Sequence, residues 1–129
     1  MLAIDTNVIV RYLTGDHSQQ SRKAKALIES EQVFVCTTVI LETEWVLRSV
    51  YGFTPVEVAT ALSAFAGLPS VILEDEEITA KALDWTASGM DFADALHLAK
   101  AQGSEAFLSF DRGLARVAKE LSDVEVRTL

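Results

Sequence analysis

Leu2-Ala3-Ile4-Asp5-Thr6-Asn7-Val8-Ile9 decides the fold class of this chain. A short apolar run stops at three polar residues, after which Val8, Ile9, Tyr12 and Leu13 supply one helical apolar face. The segment reads as strand, turn, helix. Gly15 ends the first helix, Asp16 or Ser18 caps a second that turns Ala24, Leu27 and Ile28 toward the core, and Val33 to Cys36 forms a second strand. Thr37 or Thr38 then caps a long third helix reaching Tyr51 before Gly52. Thr54-Pro55-Val56-Glu57 opens the next with capping-box spacing and a proline in its first turn, so these two helices form a hairpin. Val71 to Leu73 is a third strand, and the acidic run Glu74 to Glu77 begins a helix carrying Ile78, Ala82 and Trp85, where it serves dipole complementation and solvation. Gly89 stops that helix, and Asp91 begins another running through Ala95, Leu98 and Ala99 to Gly103. Phe107-Leu108 starts a fourth strand, Asp111 caps a short helix with Leu114 and Val117, and Val124 to Val126 makes a last, edge strand.

Short apolar strands alternating with helices predict an α/β domain with a mostly parallel sheet covered on both faces. With 129 residues, 50% of them hydrophobic, and no linker or repeat, one domain spanning 1–129 is expected. No apolar run approaches a membrane span, and no cationic segment with a cleavage site precedes the first strand, so a cytoplasmic protein is expected. The single cysteine, Cys36, lies in an apolar strand and reads as a small core hydrophobe. The net charge of −8 opposes long-range attraction to nucleic acid unless the acids gather around cations and leave the surface elsewhere less acidic.

Several acids invite that reading. Asp5 and Asp111 follow apolar strands, and in an open parallel sheet ligands bind beyond the carboxyl ends of the strands. Asp91 and Asp94 begin a helix that enters the same layer two elements later, with its N-terminus near that carboxyl edge if the connections are right-handed. Taken one at a time, Asp5, Asp91 and Asp111 are ordinary N-caps, and Asp91-Phe92-Ala93-Asp94 has capping-box spacing with an Asp in the Glu position. Glu42 discriminates more sharply. Its helical neighbours are Thr38, Val39, Trp45 and Val46, none of them basic, whereas Glu44 has Arg48 at i,i+4 and reads as a solvent-exposed ion pair. An unpaired carboxylate beside an apolar face needs a cation or a proton, or else simple exposure. If Asp5, Glu42, Asp94 and Asp111 converge, their repulsion calls for divalent cations, and hard oxygen ligands select Mg²⁺ or Mn²⁺. There is no cysteine–histidine cluster for zinc, no glycine-rich phosphate loop and no nucleophile elbow. His97, three residues after Asp94, is either a supporting hydrogen-bond partner or plain packing, and His17 sits in a turn.

Four stretches in order, Leu2-Ala3-Ile4-Asp5-Thr6-Asn7, Leu41-Glu42, Asp94-Ala95-Leu96-His97-Leu98-Ala99 and Leu108-Ser109-Phe110-Asp111, resemble the PIN-domain toxins of the VapC type over nearly the whole chain. The resemblance implies a Rossmann-like three-layer α/β/α sandwich and an endoribonuclease dependent on Mg²⁺ or Mn²⁺. It further implies a homodimer and inhibition by a small antitoxin in a type II toxin–antitoxin pair. By residue matching it makes Asp5, Glu42, Asp94 and Asp111 the metal-binding catalytic quartet, with Thr6, Asn7 and Ser109 as polar supports. Ser109-Phe110-Asp111 departs from the Thr-Asn-Asp of many relatives, and Asp91 is an additional acid.

The expected reaction is in-line displacement by water at an RNA phosphodiester. Asp5 and Asp94 are expected as direct ligands, Glu42 as ligand or water-orienting base, and Asp111 as a supporting or second-metal residue. Arg11, Arg22, Lys23, Arg48, Lys100, Arg112 and Arg116 are candidates for holding the RNA, though each is also an ordinary surface charge. From Val50 to Leu68 the only charged residue is Glu57, which predicts burial on more than one side and a partner surface for dimer or antitoxin. Three other readings stand beside the nuclease: a receiver-like signalling domain, which would need a lysine after a late strand where Phe107 to Asp111 has none; a phosphatase with Asp5 as nucleophile, which would want a second Asp where Asn7 stands; and a catalytically dead PIN scaffold acting by RNA or protein binding.

Overall fold

The computed structural model describes residues 1–129, which divide into two compact units, Met1–Glu76 and Glu77–Leu129. The first unit runs β1 (Leu2–Ala3), α1 (Thr6–Thr14), α2 (Ser18–Ser30), β2 (Val33–Val35), α3 (Thr37–Ser49), α4 (Pro55–Ala66) and β3 (Val71–Leu73). The second carries α5 (Glu76–Ala87), which starts at the boundary, then α6 (Phe92–Lys100), β4 (Phe107–Ser109), α7 (Arg112–Leu121) and β5 (Val126–Thr128). The α/β class is as expected, and every strand pair is parallel. The strands are hydrogen-bonded in two groups, β1-β2-β3 and β4-β5, where the sequence suggested one sheet.

In the first unit Leu2 pairs with Val33 and Val33 with Val71, a register that, continued past the strands, brings Asp5, Cys36 and Glu74 level at their carboxyl ends. Each strand is two or three residues long because the chain enters a helix or turn within three residues of its end. Helix α1 packs on α2 and α3, and α3 on α4. Ile9, Val10, Val33, Val35, Ile40, Leu47, Val58, Leu62 and Phe65 are buried in this unit, and Tyr12 meets Phe65 edge-on with ring centroids 5.8 Å apart. Burying each large apolar side chain contributes about 1.5–3 kcal/mol. In the second unit Ala82, Leu83, Phe92, Ala95, Leu98 and Ala118 are buried, and α7 lies against both β4 and β5.

Several local expectations are met. Gly15 and Gly89 end α1 and α5 with φ of 65° and 115°, the left-handed region that glycine enters without strain. Thr54 and Glu57 form a full capping box, with Pro55 at the first helical position.

Others are corrected. Helix α2 is capped by His17, whose Nδ1 accepts from the Gln20 N–H at 3.1 Å, because Asp16 is drawn away to accept from Thr14, Tyr51 and Arg11. Helix α3 starts after Cys36, with neither Thr37 nor Thr38 as its cap. The Thr37 N–H instead donates to Glu74 at 2.9 Å and the Thr37 hydroxyl donates to Asp75 at 3.1 Å. The acidic run therefore caps a helix distant in sequence, in addition to opening its own. Helix α3 ends at Ser49 and not Tyr51, the last strand is displaced to Val126–Thr128 because Val124 turns back to Ser122, and Cys36 is half-buried. Helix α4 buries Val58, Ala59, Leu62 and Phe65 and leaves Val56, Thr60, Ser63 and Ala64 exposed, so within the chain it is covered on one side only. No helix is long and apolar enough to cross a membrane.

Candidate active site

Asp5 stands where β1 becomes α1. The ladder is carried one residue past the strand by the Ile4 N–H donating to the Phe34 carbonyl at 3.1 Å, and the chain then turns at Asp5. The Asp5 carboxylate accepts from the Thr6 N–H at 2.7 Å. Thr6 itself is buried, and its hydroxyl donates to Glu42 Oε1 at 2.5 Å. One threonine thus grips two carboxylates from elements far apart in sequence, and the second oxygen of each has no partner within the chain.

That arrangement corrects the expectation for Glu42. It is exposed and hydrogen-bonded rather than unpaired against an apolar face, because the buried stripe of α3 runs through Ile40, Thr43, Glu44 and Leu47. Glu44 is the buried acid: its side chain is 4% exposed and it pairs with Arg48 at 2.9 Å, an ion pair as expected but not a solvent-exposed one. Exposed Asn7 makes no hydrogen bond to either carboxylate; it lines a groove of about 350 Å³ between α1 and α2 with Arg11, Gln20 and Lys23.

In the second unit Asp91 caps α6, accepting from the Asp94 N–H at 3.1 Å. A capping box would have the third helical residue reach back, but Asp94 is a methylene shorter than Glu and its carboxylate makes no hydrogen bond. Asp94 is left half-buried, and its pKa is raised, first by burial and then by the charges of Asp91 and Asp111, with His97 pulling the other way. His97 is exposed and acts on Asp94 only through its charge. Asp111 caps α7, accepting from Leu114 at 3.1 Å, while its own N–H donates to Ser109 Oγ at 3.0 Å. Ser109 thus fixes the turn that presents Asp111. Asp91, Asp94 and Asp111 line one cleft of about 240 Å³ with Met90, Gly113 and Arg116.

Gly113 is the site residue that sequence reasoning missed. Its φ needs no glycine, yet an added Cβ would lie 3.1 Å from Asp111 Oδ1. The only signal was a glycine placed in the first turn of a helix, where it has no conformational reason to be.

Within neither unit do three or more His, Cys, Asp or Glu side chains come together as a ready metal-holding group. The oxygens left without a hydrogen bond on Asp5, Glu42 and Asp94 are carboxylate oxygens, the type that suits a hard divalent ion. Among the basic candidates, Arg11 is bound to Gln20, Asp16 and Tyr51, Arg48 to Glu44, and Lys100 is engaged as well.

A comparison with curated proteins finds no significant match. The sequence profile of the PIN domain, in contrast, matches residues 2–120, which takes in both units and every acid described above. The chain belongs to the PIN-domain family, whose members are in general divalent-metal-dependent nucleases acting on nucleic acid.

Proposed function

We propose that this protein is a Mg²⁺-dependent endoribonuclease of a single PIN domain, with Mn²⁺ as a substitute, whose catalytic and metal-binding acids are Asp5, Glu42, Asp94 and Asp111. The observation that carries the reading is Asp94, a half-buried carboxylate without a hydrogen bond whose pKa is raised by burial and by two neighbouring acids. Such a group is stabilised by a cation, and no basic residue of the chain pairs with it. Asp94 and Asp5 are the residues to hold the ion, with Asp111 beside Asp94. A divalent ion, when bound, supplies Lewis acidity at the scissile phosphate and lowers the pKa of the attacking water.

The chain's own residues do the rest. Thr6 holds Glu42 so that its free oxygen orients the water and takes its proton. Ser109 and Gly113 keep Asp111 in place. Water attacks phosphorus in line as the bond to the leaving oxygen breaks.

The finer assignment is a VapC-type toxin acting in the cytoplasm, homodimeric and held by a cognate antitoxin. It rests on the four matched stretches and is supported by Trp45, Val50 and Val56, large apolar side chains left 54–66% exposed along the α3–α4 hairpin.

The test incubates the purified chain with structured RNAs, with and without Mg²⁺ or Mn²⁺, beside Asp94→Asn. Cleavage should require the ion and fall on the order of 10²–10³-fold in kcat in the variant. Equal cleavage by both proteins would remove Asp94 from the site, and binding of RNA without any cleavage would favour a catalytically dead scaffold.

A further inference from the structure

Most cations of the chain are already committed. Arg11, Lys25, Arg48 and Arg127 are in ion pairs, Lys81 lies over the Trp85 ring, and Lys100 is engaged. The exceptions are Arg22 and Lys23 on α2 and Arg112, Arg116 and Lys119 on α7, all exposed and in no ion pair. The α7 group is distinguished by its setting. Its members stand at i, i+4 and i+7, one stripe of the helix with steps of roughly 6 and 4.5 Å along the axis. Buried Leu114 and Ala118 anchor the opposite face. The stripe begins beside Asp111, and Arg116 lines both the acidic cleft and a second cleft of about 550 Å³ between α7 and β5. Arg116, Lys119, Asp123, Val124, Glu125 and Val126 line that second cleft, with Glu125 tied to Arg127.

At the head of the stripe is Phe110, between Ser109 and Asp111 and 78% exposed. A large ring left mostly uncovered by its own chain, one residue from a cleft acid, is a stacking surface for an unpaired base. Stacking on an aromatic face and phosphate binding by a basic stripe together describe recognition of a single strand.

We infer that Phe110, Arg116 and Lys119, with Arg112 beside them, form the track for the substrate strand: a base adjacent to the scissile phosphate stacks on Phe110, and the following phosphates bind along α7 toward the β5 cleft. This deepens the ribonuclease reading and rests on it.

The experiment measures binding of a short fluorescein-labelled single-stranded oligoribonucleotide to the full chain by anisotropy, in EDTA, across a salt series, with cleavage assayed in parallel after adding Mg²⁺. Each phosphate contact removed should lower the slope of log K against log salt by about 0.7, so Arg116→Gln/Lys119→Gln should lose about 1.4 while Arg22→Gln/Lys23→Gln keeps the parent slope. Phe110→Ala should weaken binding on the order of 10-fold at every salt concentration with the slope unchanged, and Phe110→Trp should restore it. Arg116→Lys, which keeps the charge, should retain the slope and guards against a folding defect. A parent slope in the α7 double variant, a slope loss confined to the α2 variant, or no binding by the unmodified chain overturns the track. Track-dependent binding with no Mg²⁺-dependent cleavage leaves the track standing and removes the ribonuclease reading instead.

Discussion

The acids of the first unit and those of the second are held in opposite ways. Asp5 and Glu42 each have one oxygen satisfied by Thr6, through its N–H and its hydroxyl, and each is exposed. Asp94 has no hydrogen bond, is half-buried, and feels two like charges. A carboxylate that accepts hydrogen bonds in water's reach is stable as an anion by itself, whereas a desolvated one among other acids is stable only with a proton or a cation nearby. The demand for an ion therefore sits in the second unit, while the first presents carboxylates whose geometry is set in advance.

The sharpest way to break this contrast is the pH dependence of stability. Because folding raises the Asp94 pKa, its stabilising contribution is full below the unfolded-state pKa and is lost as pH rises through the folded-state value. Asn cannot titrate, so the Tm of Asp94→Asn should match the parent at low pH and exceed it increasingly as pH rises through the raised pKa. Mg²⁺ should close that gap by raising the parent's Tm. A gap independent of pH in thermal melts would mean that Asp94 is not strained by its surroundings.

Thr6→Val should have the next largest effect. The isosteric change preserves buried volume and the N–H to Asp5 but releases Glu42, at a cost of about 1 kcal/mol in stability. The activity should fall roughly 10-fold or more, as for the loss of a residue that orients a ligand or base. Parent-like turnover would show that the hydroxyl serves folding alone.

The smallest effect is expected at Gly113. Gly113→Ala favours helix formation by up to about 1 kcal/mol, so Tm should hold or rise. The new methyl presses on Asp111 Oδ1, and kcat should drop severalfold. Unchanged turnover would mean that Asp111 has room to yield.

Much of the first unit was legible because its signals are local. The run Leu2 to Asn7, the capping box at Thr54–Glu57 and the glycine after α1 each act within a few residues, and the element order follows. What failed was wherever a distant residue took over a local role: Glu74 and Asp75 serving Thr37 displaced the expected threonine caps, and the pull of Tyr51 and Arg11 on Asp16 left α2 to His17. Glu42 and Glu44 show the same limit. Their spacing placed one beside an arginine and the other not, yet which of them is buried depends on how α3 is rotated against its neighbours.

By itself, the sequence determined the alternation of strand and helix, the parallel pairing and the identity of the acids, because period, capping chemistry and turn residues act over a few positions. Only the tertiary structure decided how each acid is held. It gave Thr6 two carboxylates to bind, left Asp94 without a hydrogen bond between Asp91 and Asp111, and set a free basic stripe beside an exposed phenylalanine. Those outcomes depend on desolvation and on contacts between segments far apart in the chain, which no local pattern encodes.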